Sequence, residues 1–290
     1  MFKTEEPQVH ENTRCLLGEG GLWHPERQQF FWCDILSKRV LSHVDGRLRA
    51  WEFSGHVSTL GWIDRDHLLV AGAGALVKLN VETNARETIT PLEDDKPGNR
   101  PNDGRADPEG GFWVSTMSLR KETGAGALYR YHRGEVRQLK AGMSIPNTIC
   151  FTPDGSHAFF TDTPTRMIMQ WKLGPDGWPE GKPETWLNLR GTDYFPDGAI
   201  CDSAGNLWSA QWGAGRVACY SPQAEFLQEI ALPGKLTTCP ALGGPDLDTL
   251  HVTTAAVGLD EPTIATEDGH GRTFTVATDA KGQAEHRVNA

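Results

Sequence analysis

Long apolar runs and basic clusters are both missing from this sequence. No stretch approaches the roughly 18 consecutive apolar residues that a membrane-spanning helix needs. Residues 1–14 are polar and acidic, whereas a secretory signal has a basic start and then an apolar run. The net charge is −10. Because nucleic acids and anionic membranes bind basic surfaces, neither is expected as a partner, and we expect a cytoplasmic protein.

Paired cysteines are also missing. The six cysteines are widely spaced, with no CxxC pair and no Cys/His cluster at zinc-finger spacing. This pattern predicts buried thiols in a reducing compartment, with a disulfide between two of them as the alternative.

What the chain does have is turns and tryptophans, with 32 Gly, 18 Pro and 10 Trp in 290 residues. No segment of ten or more residues shows helical periodicity. A phrase recurs instead: a polar turn, often Asp with Gly, followed by an apolar strand that usually carries an aromatic residue. Its six copies are residues 24–32 (HPERQQFFW), 63–70 (IDRDHLLV), 107–114 (DPEGGFWV), 152–160 (TPDGSHAFF), 202–208 (DSAGNLW) and 244–252 (GPDLDTLHV).

The spacing of these copies predicts the fold class. Intervals of about 39 to about 50 residues are typical of four-stranded propeller blades, and six of them fill residues 1–290. We therefore predict an all-β protein, a six-bladed β-propeller of four-stranded antiparallel blades forming one domain. Two packed β-sandwiches are the alternative. Residues 9–17 are expected to close the ring by adding a strand to the last blade.

Short polar motifs recur at the start of several predicted blades, and in a propeller the first strand of each blade lines the central channel. Their side chains should therefore converge there. They contribute Glu19, Asn147 and Asp197, together with residues 100–103 (RPND). Oxygen donors among glycines and prolines suit hard cations such as Ca²⁺, Mg²⁺ or Mn²⁺. Each motif taken alone would instead indicate a β-turn.

At this point the sequence resembles the gluconolactonase/regucalcin (senescence marker protein) family over nearly its whole length. Within that family it is most similar to bacterial sugar lactonases that act on aldonolactones. The matching phrases are residues 17–23 (LGEGGLW), 31–35 (FWCDI), 99–104 (NRPNDG), 113–117 (WVSTM), 126–130 (GALYR), 161–163 (TDT), 196–198 (PDG), 206–208 (NLW), 211–213 (QWG) and 215–217 (GRV).

The resemblance implies that Glu19, Asn147 and Asp197 bind one divalent metal ion, and that Arg100 and Asn102 bind the sugar. Calcium is the expected ion, with zinc, magnesium, manganese and iron as alternatives. Two departures from the family pattern stand out. Residues 146–148 read PNT where many relatives have Ser-Asn-Gly, and residues 118–122 read SLRKE near a position where some relatives place an acid that contacts substrate. Whether Glu122 takes that role is left open.

The expected activity is metal-dependent hydrolysis of a sugar lactone to the open hydroxy acid, with the ion as Lewis acid and Asp197 as general base. Asp103 and Asp162 are reserve candidates for the base. Trp212 is expected to stack on the sugar or, alternatively, to pack in the core. The main alternative function is a non-catalytic calcium-binding regulatory protein. An interaction platform and an esterase of broader range are further alternatives.

Overall fold

The structure is a computed structural model that describes residues 2–290. Over that range it contains 24 β-strands, one short α-helix (Glu261–Thr266) and one 3-10 turn (Thr163–Thr165). The strands form six antiparallel sheets of four strands each. Neighbouring sheets contact each other through their first strands in cyclic order, and the sixth contacts the first. The six-bladed propeller is confirmed, and the sandwich alternative is wrong.

Blades 1 to 5 each consist of four consecutive strands, starting with β2, and strand β1 (Gln8–Glu11) belongs to blade 6. Blade 1 consists of β2 (Gly18–His24), β3 (Gln29–Asp34), β4 (Arg39–Val44) and β5 (Arg47–Glu52). Blade 2 consists of β6 (Val57–Asp64), β7 (His67–Gly72), β8 (Gly74–Asn80) and β9 (Arg86–Leu92). Blade 3 consists of β10 (Asn99–Ala106), β11 (Phe112–Ser118), β12 (Gly126–His132) and β13 (Glu135–Met143).

The remaining blades follow the same plan until the last one. Blade 4 consists of β14 (Pro146–Phe151), β15 (His157–Asp162), β16 (Met167–Lys172) and β17 (Glu184–Asn188). Blade 5 consists of β18 (Phe195–Cys201), β19 (Leu207–Trp212), β20 (Arg216–Tyr220) and β21 (Phe226–Ala231). Blade 6 consists of β22 (Thr237–Gly243), β23 (Thr249–Thr254), β24 (Thr273–Ala277) and β1.

The ring is closed by β1, which pairs with β24 as the outermost strand of blade 6. The closing strand predicted from residues 9–17 is therefore confirmed at Gln8–Glu11, and it ends earlier than expected. Leu17 makes only an isolated bridge to Ala255. Pairing the two ends of the chain leaves no long sheet edge open at the point of closure.

Every innermost strand carries a shift of pairing register at the same point. The shifts follow Glu19, Val57, Pro101, Asn147, Pro196 and Thr237. A bulge bends the strand and turns a side chain out of the sheet. At or beside these bulges, four of the blades bring Glu19, Asn102, Asn147 and Asp197 together around one cavity.

Apolar side chains fill the spaces between the blades. The recurrent aromatic residues of the second strands, Trp32, Trp113, Phe160 and Trp208, are all buried. Trp113 of blade 3 packs edge-on against Phe151 of blade 4, with ring centroids 5.5 Å apart. Such aromatic contacts explain why the sequence phrase carries an aromatic at this position in blade after blade.

The C-terminal segment, residues 280–289, crosses the far end of the channel. Gln283 donates to the carbonyls of Phe151 and Cys201, while Glu285 pairs with Arg105. Val288 donates its N–H to the carbonyl of Trp62. This segment contacts several blades and closes the end at which the inner strands finish.

All six cysteines are free and buried. The two nearest to each other, Cys150 and Cys201, have their sulfurs 3.7 Å apart. The prediction of buried thiols is confirmed. Within residues 2–290 no helix is both long and apolar enough to cross a membrane.

Candidate metal and substrate site in the channel

The open end of the channel holds a cavity of about 330 Å³. Its floor is formed by Glu19, Arg100, Asn102, Asn147 and Asp197, the residues that the sequence predicted for the site. Its walls are mostly apolar and include Leu36, Met117, Leu119, Ile145, Trp212 and Val257. A concave site with apolar walls and a few convergent polar groups is typical of small-molecule binding.

Glu19 reaches the floor because its strand bulges immediately after it. Gly20 has φ 59°, in the left-handed region, and a Cβ at that position would lie 2.2 Å from the carbonyl oxygen of Ser58. Only glycine accepts both the backbone angle and this close approach. The Glu19 carboxylate is buried and accepts one hydrogen bond, from the N–H of Gly20 at 3.2 Å.

Asp197 stands at the same bulge in blade 5, and its carboxylate is likewise buried. No Lys, Arg or His group in residues 2–290 lies within salt-bridge distance of Glu19 or Asp197. Burial raises the pKa of Glu19 well above its ordinary value, and the charges of Asp197 and Asp103 add to this. Burial also raises the pKa of Asp197, with Asp103 adding and Arg100 opposing. Two buried carboxylates without an ion-pair partner in contact are unfavourable unless a cation or protons neutralise them.

A chain of hydrogen bonds sets the orientation of Asn147. The Thr163 hydroxyl donates to the carbonyl of Pro196 at 2.8 Å, so it can only accept from Asn147 Nδ2, at 2.9 Å. The carbonyl oxygen of Asn147 therefore lies on the side of the site, where it accepts from Asn102 Nδ2 at 2.8 Å. A carbonyl oxygen has two lone pairs, so one remains for a ligand.

Arg100 begins the same chain. Its Nη1 donates to the carbonyl of Pro101 and to Asn102 Oδ1, both at 2.8 Å. Its other nitrogens make no hydrogen bond within the described part of the chain. Burial lowers the pKa of Arg100 to about 10, against the opposing effect of Glu19 and Asp197. The guanidinium is thus held in place by one nitrogen, and its remaining donors are free for a substrate.

The floor fits a hard divalent cation by its chemistry. Glu19, Asp197 and Asn147 Oδ1 offer oxygen donors only, and two unpaired carboxylates match the charge of a dication. No group of three or more His, Cys, Asp and Glu side chains placed to hold a metal occurs in residues 2–290. In the set described above, the third donor is the amide oxygen of Asn147.

The two reserve acids lie outside the cavity lining and hold backbone. Asp103 accepts from the N–H groups of Gly104 and Ile149, both at 2.8 Å, and thereby ties blade 3 to blade 4. Burial raises the pKa of Asp103 to about 6, although those backbone donors oppose the shift. Asp162 accepts from the N–H groups of Ser144 and Ile145. Asp103 thus links two inner strands, and Asp162 anchors the segment that leads into β14.

Of the two remaining candidates, Trp212 lines the cavity and Glu122 does not. Trp212 lines the cavity and also packs against the core between blades 1 and 2, so both readings of this residue have a structural basis. Glu122 does not line the cavity. It is exposed and accepts from the Ser118 hydroxyl at 3.3 Å.

Sequence reasoning missed several lining residues. Thr163 follows β15, and Lys121 lies in the turn between β11 and β12, away from the repeated inner-strand motifs. For Thr163 a signal existed, because it closes the TDT phrase at residues 161–163. For Lys121 the signal was its place in residues 118–122, the segment near which some relatives have an acid that contacts substrate. For Leu36 and Val257 there was none, since loop residues reach a site only through tertiary structure.

Comparison with known protein families places the site in context. Residues 17–256 match the family described as SMP-30/Gluconolactonase/LRE-like region. A similar relative is the putative sugar lactone lactonase of Rhizobium meliloti, 34% identical, with the alignment covering 93% of this chain and 92% of the relative. Another is the 6-deoxy-6-sulfogluconolactonase of Pseudomonas putida, 31% identical over 96% of this chain and 98% of the relative.

Among solved structures, the chain is similar to a calcium-binding protein, regucalcin, from Agrobacterium tumefaciens. The TM-score is 0.96 at 36% sequence identity, and the match covers 99% of this chain and 98% of that one. The family match begins just before Glu19 and includes all six inner strands. The two relatives align over nearly their full length. The chain therefore belongs to the SMP-30/gluconolactonase/LRE-like family.

Proposed function

We propose that this protein is a sugar lactone hydrolase that uses one divalent metal ion bound by Glu19, Asn147 and Asp197. The observation that carries the proposal is the pair of buried carboxylates, neither in an ion pair with a described residue, beside an oriented amide oxygen on the floor of an open cavity. The names of the Rhizobium and Pseudomonas relatives support the reaction class. Calcium is the first choice of ion by donor type, and zinc, magnesium, manganese and iron are alternatives.

When bound, the dication would supply Lewis-acid stabilisation for the negative charge that develops on the lactone carbonyl oxygen. The chain's own groups do the rest. Arg100 donates from its free nitrogens to the carbonyl or to ring hydroxyls. Asp197 accepts a proton from the attacking water through a carboxylate oxygen that is not engaged elsewhere. Trp212 offers an apolar surface to the sugar face.

The overall reaction balances without any co-reactant. The water oxygen forms a bond to the carbonyl carbon, the bond from that carbon to the ring oxygen breaks, and the ring oxygen takes a proton. The product is the open hydroxy acid, which releases a proton near neutral pH. That proton makes the reaction measurable with a pH indicator.

The test uses chelator-treated protein and a panel of pentose, hexose and uronic acid lactones, with each of the five ions added back. We expect one or more ions to restore turnover above spontaneous hydrolysis. Glu19→Gln and Asp197→Asn should each lower turnover by at least about a hundredfold and weaken metal binding. Asp154→Asn, on an exposed turn, is the matched control. Near-normal turnover of Asp197→Asn with the metal retained would disprove the assignment of Asp197.

A non-catalytic calcium-binding role is the second candidate, favoured by the similar solved structure that is described as calcium-binding. The same three donors would bind the ion in either case. Tight metal binding without hydrolysis of any lactone in the panel would favour this second role.

A further inference from the structure

The rim of the cavity is formed by the residues that end β11 and begin the turn to β12. Met117, Ser118, Leu119 and Lys121 all line the cavity. The turn is held by two backbone hydrogen bonds of 2.9 Å, from the Leu119 N–H to Gly98 and from the Lys121 N–H to Ser118. Lys121 itself adopts φ 56°. The turn thereby holds Lys121 beside the opening of the cavity.

Lys121 has no counter-charge at this position. Within residues 2–290 its ammonium takes part in no ion pair and donates no hydrogen bond. The neighbouring acid, Glu122, accepts from Ser118 and lies outside the cavity lining. Much of the remaining wall is apolar, including Leu36, Leu119 and Val257. An unpaired cation beside an apolar wall is available to a ligand.

The charges of the cavity are separated by depth. The two carboxylates, Glu19 and Asp197, lie on the floor with Arg100, and Lys121 lies at the rim. A dication on the floor would offset both lining carboxylates, and Arg100 and Lys121 together would then outweigh the one remaining neighbouring acid, the buried Asp103 behind the lining. The cavity would then be positive although the whole chain carries a charge of −10. Such a local potential selects and steers negatively charged ligands.

We propose that Lys121 binds an anionic substituent of the substrate, so that the preferred substrates are sugar lactones that carry a carboxylate, phosphate or sulfonate away from the lactone carbonyl. This inference rests on the proposed function, because it places the lactone carbonyl on the floor. The rest of the sugar then extends towards the rim, where its substituent meets Lys121. Lys121 is a specificity residue in this arrangement and takes no part in bond breaking.

The expected size of the effect follows from the exposure of the lysine. A solvent-exposed ion pair changes binding by up to about fivefold, and salt weakens it. A charge at the rim acts mainly on association and on its salt dependence. The effect should therefore appear in KM and grow at low ionic strength.

The experiment compares three lactones on the metal-loaded protein: gluconolactone, its phosphate ester phosphogluconolactone, and saccharolactone, which carries a carboxylate. Lys121→Gln should raise KM for the two anionic lactones by roughly three- to fivefold, leave KM for gluconolactone within about twofold, and leave kcat little changed. Lys121→Glu should have a larger effect, and Lys121→Arg should retain the preference. Arg120→Ala removes a neighbouring exposed cation that does not line the cavity, and it should behave as wild type.

Added salt gives a second readout. In the wild type, KM for the anionic lactones should rise with ionic strength, and in Lys121→Gln it should rise less steeply, because only Arg100 remains. The two anionic probes separate phosphate from carboxylate recognition. Turnover without preference for the anionic lactones, or an equal effect of Lys121→Gln on all three, would overturn this inference and leave the proposed function intact. Failure to hydrolyse any lactone would contradict both.

Discussion

At the scale of single residues, the site depends on side chains that orient the donors as much as on the donors. Asn147 can present its oxygen to the cavity because Thr163 accepts from its Nδ2 and donates to the carbonyl of Pro196. Residues of this kind hold a ligand in one orientation, and their loss typically costs ten- to a hundredfold in metal affinity or activity.

The first prediction concerns Thr163. We expect Thr163→Val to weaken metal binding by about ten- to a hundredfold, because the amide of Asn147 loses the partner that orients it. The measurement is a titration of chelator-stripped protein with the activating ion, followed by calorimetry. Thr161→Val is the control, since the Thr161 hydroxyl donates to the carbonyl of Met167 and does not line the cavity. Equal affinities of the two variants would contradict the role given to Thr163.

At the scale of secondary structure elements, the inner-strand bulge is the device that builds the site. It recurs in all six blades, but only some of the bulges carry the carboxylate and amide side chains proposed to bind the metal. In blade 1 the bulge needs a glycine after Glu19, for the reasons of backbone angle and contact given above.

We therefore predict that Gly20→Ala destabilises the fold by about 3 kcal/mol or more, through the left-handed backbone and a clash with Ser58. Chemical denaturation measures the change in the free energy of unfolding. Gly46→Ala is the matched control: Gly46 has φ 70° but no heavy atom within 4 Å of the added Cβ, so only the backbone cost of about 1 kcal/mol should remain. If both variants lost the same stability, contact with Ser58 would play no part.

The contact between blades 1 and 6 contains buried imidazoles next to the closing strand β1. His251 stacks on Phe30 at 4.3 Å between ring centroids, and neither of its ring nitrogens has a partner. Burial lowers the pKa of His251 to about 3, with the charge of His10 adding. Between pH 6.5 and 3 the unfolded chain thus binds a proton that the folded chain does not, so stability falls as the pH falls.

The third prediction follows from that sign. From pH 6.5 to 4.5 the folded protein should lose about 2–3 kcal/mol of stability through His251 alone, and His251→Phe should abolish that part of the loss. Denaturation midpoints across this pH range give the slope. Trp23→Phe disturbs the same cluster without removing an ionisable group, so it should lower stability and keep the wild-type slope. An unchanged slope in His251→Phe would refute the linkage.

At the scale of the whole molecule, the ring is held at its far end by the C-terminal segment. The ion pair between Arg105 and Glu285 is nearly buried and joins this segment to the inner strand of blade 3. Burial lowers the pKa of Arg105, but the charge of Glu285 outweighs burial and the pKa is raised overall. Removing one partner of such a pair leaves a buried charge uncompensated.

We predict that Glu285→Ala destabilises the protein by about 3–5 kcal/mol, because Arg105 would stay buried without its partner. Lys281→Ala breaks an exposed pair with Asp248 in the same segment and should leave the denaturation midpoint nearly unchanged. The two variants are compared by thermal and chemical denaturation. A stable Glu285→Ala variant would mean that the segment contributes little to ring closure.

Much of the architecture could be predicted from the sequence because the sequence is repetitive. Six copies of one turn-and-strand phrase at nearly constant spacing predict six similar sheets, because each copy alone cannot bury its apolar face. The closing strand was predicted on the same principle, and it stops at Glu11 because its antiparallel partner β24 begins at Thr273. The helix Glu261–Thr266 escaped detection because six residues are too few for a periodicity to show.

The sequence by itself determined the blade count, the family resemblance, the buried thiols and the acidic and amide donors of the inner strands, since all of these follow from local pattern. Only the tertiary structure decided which atoms face the cavity, because that depends on bulges and on partners far away in sequence. Thr163 orients Asn147 from a neighbouring strand end, and Lys121 reaches the rim through a turn. Burial, which raises the pKa values of Glu19 and Asp197, likewise arises only when six blades close into a ring.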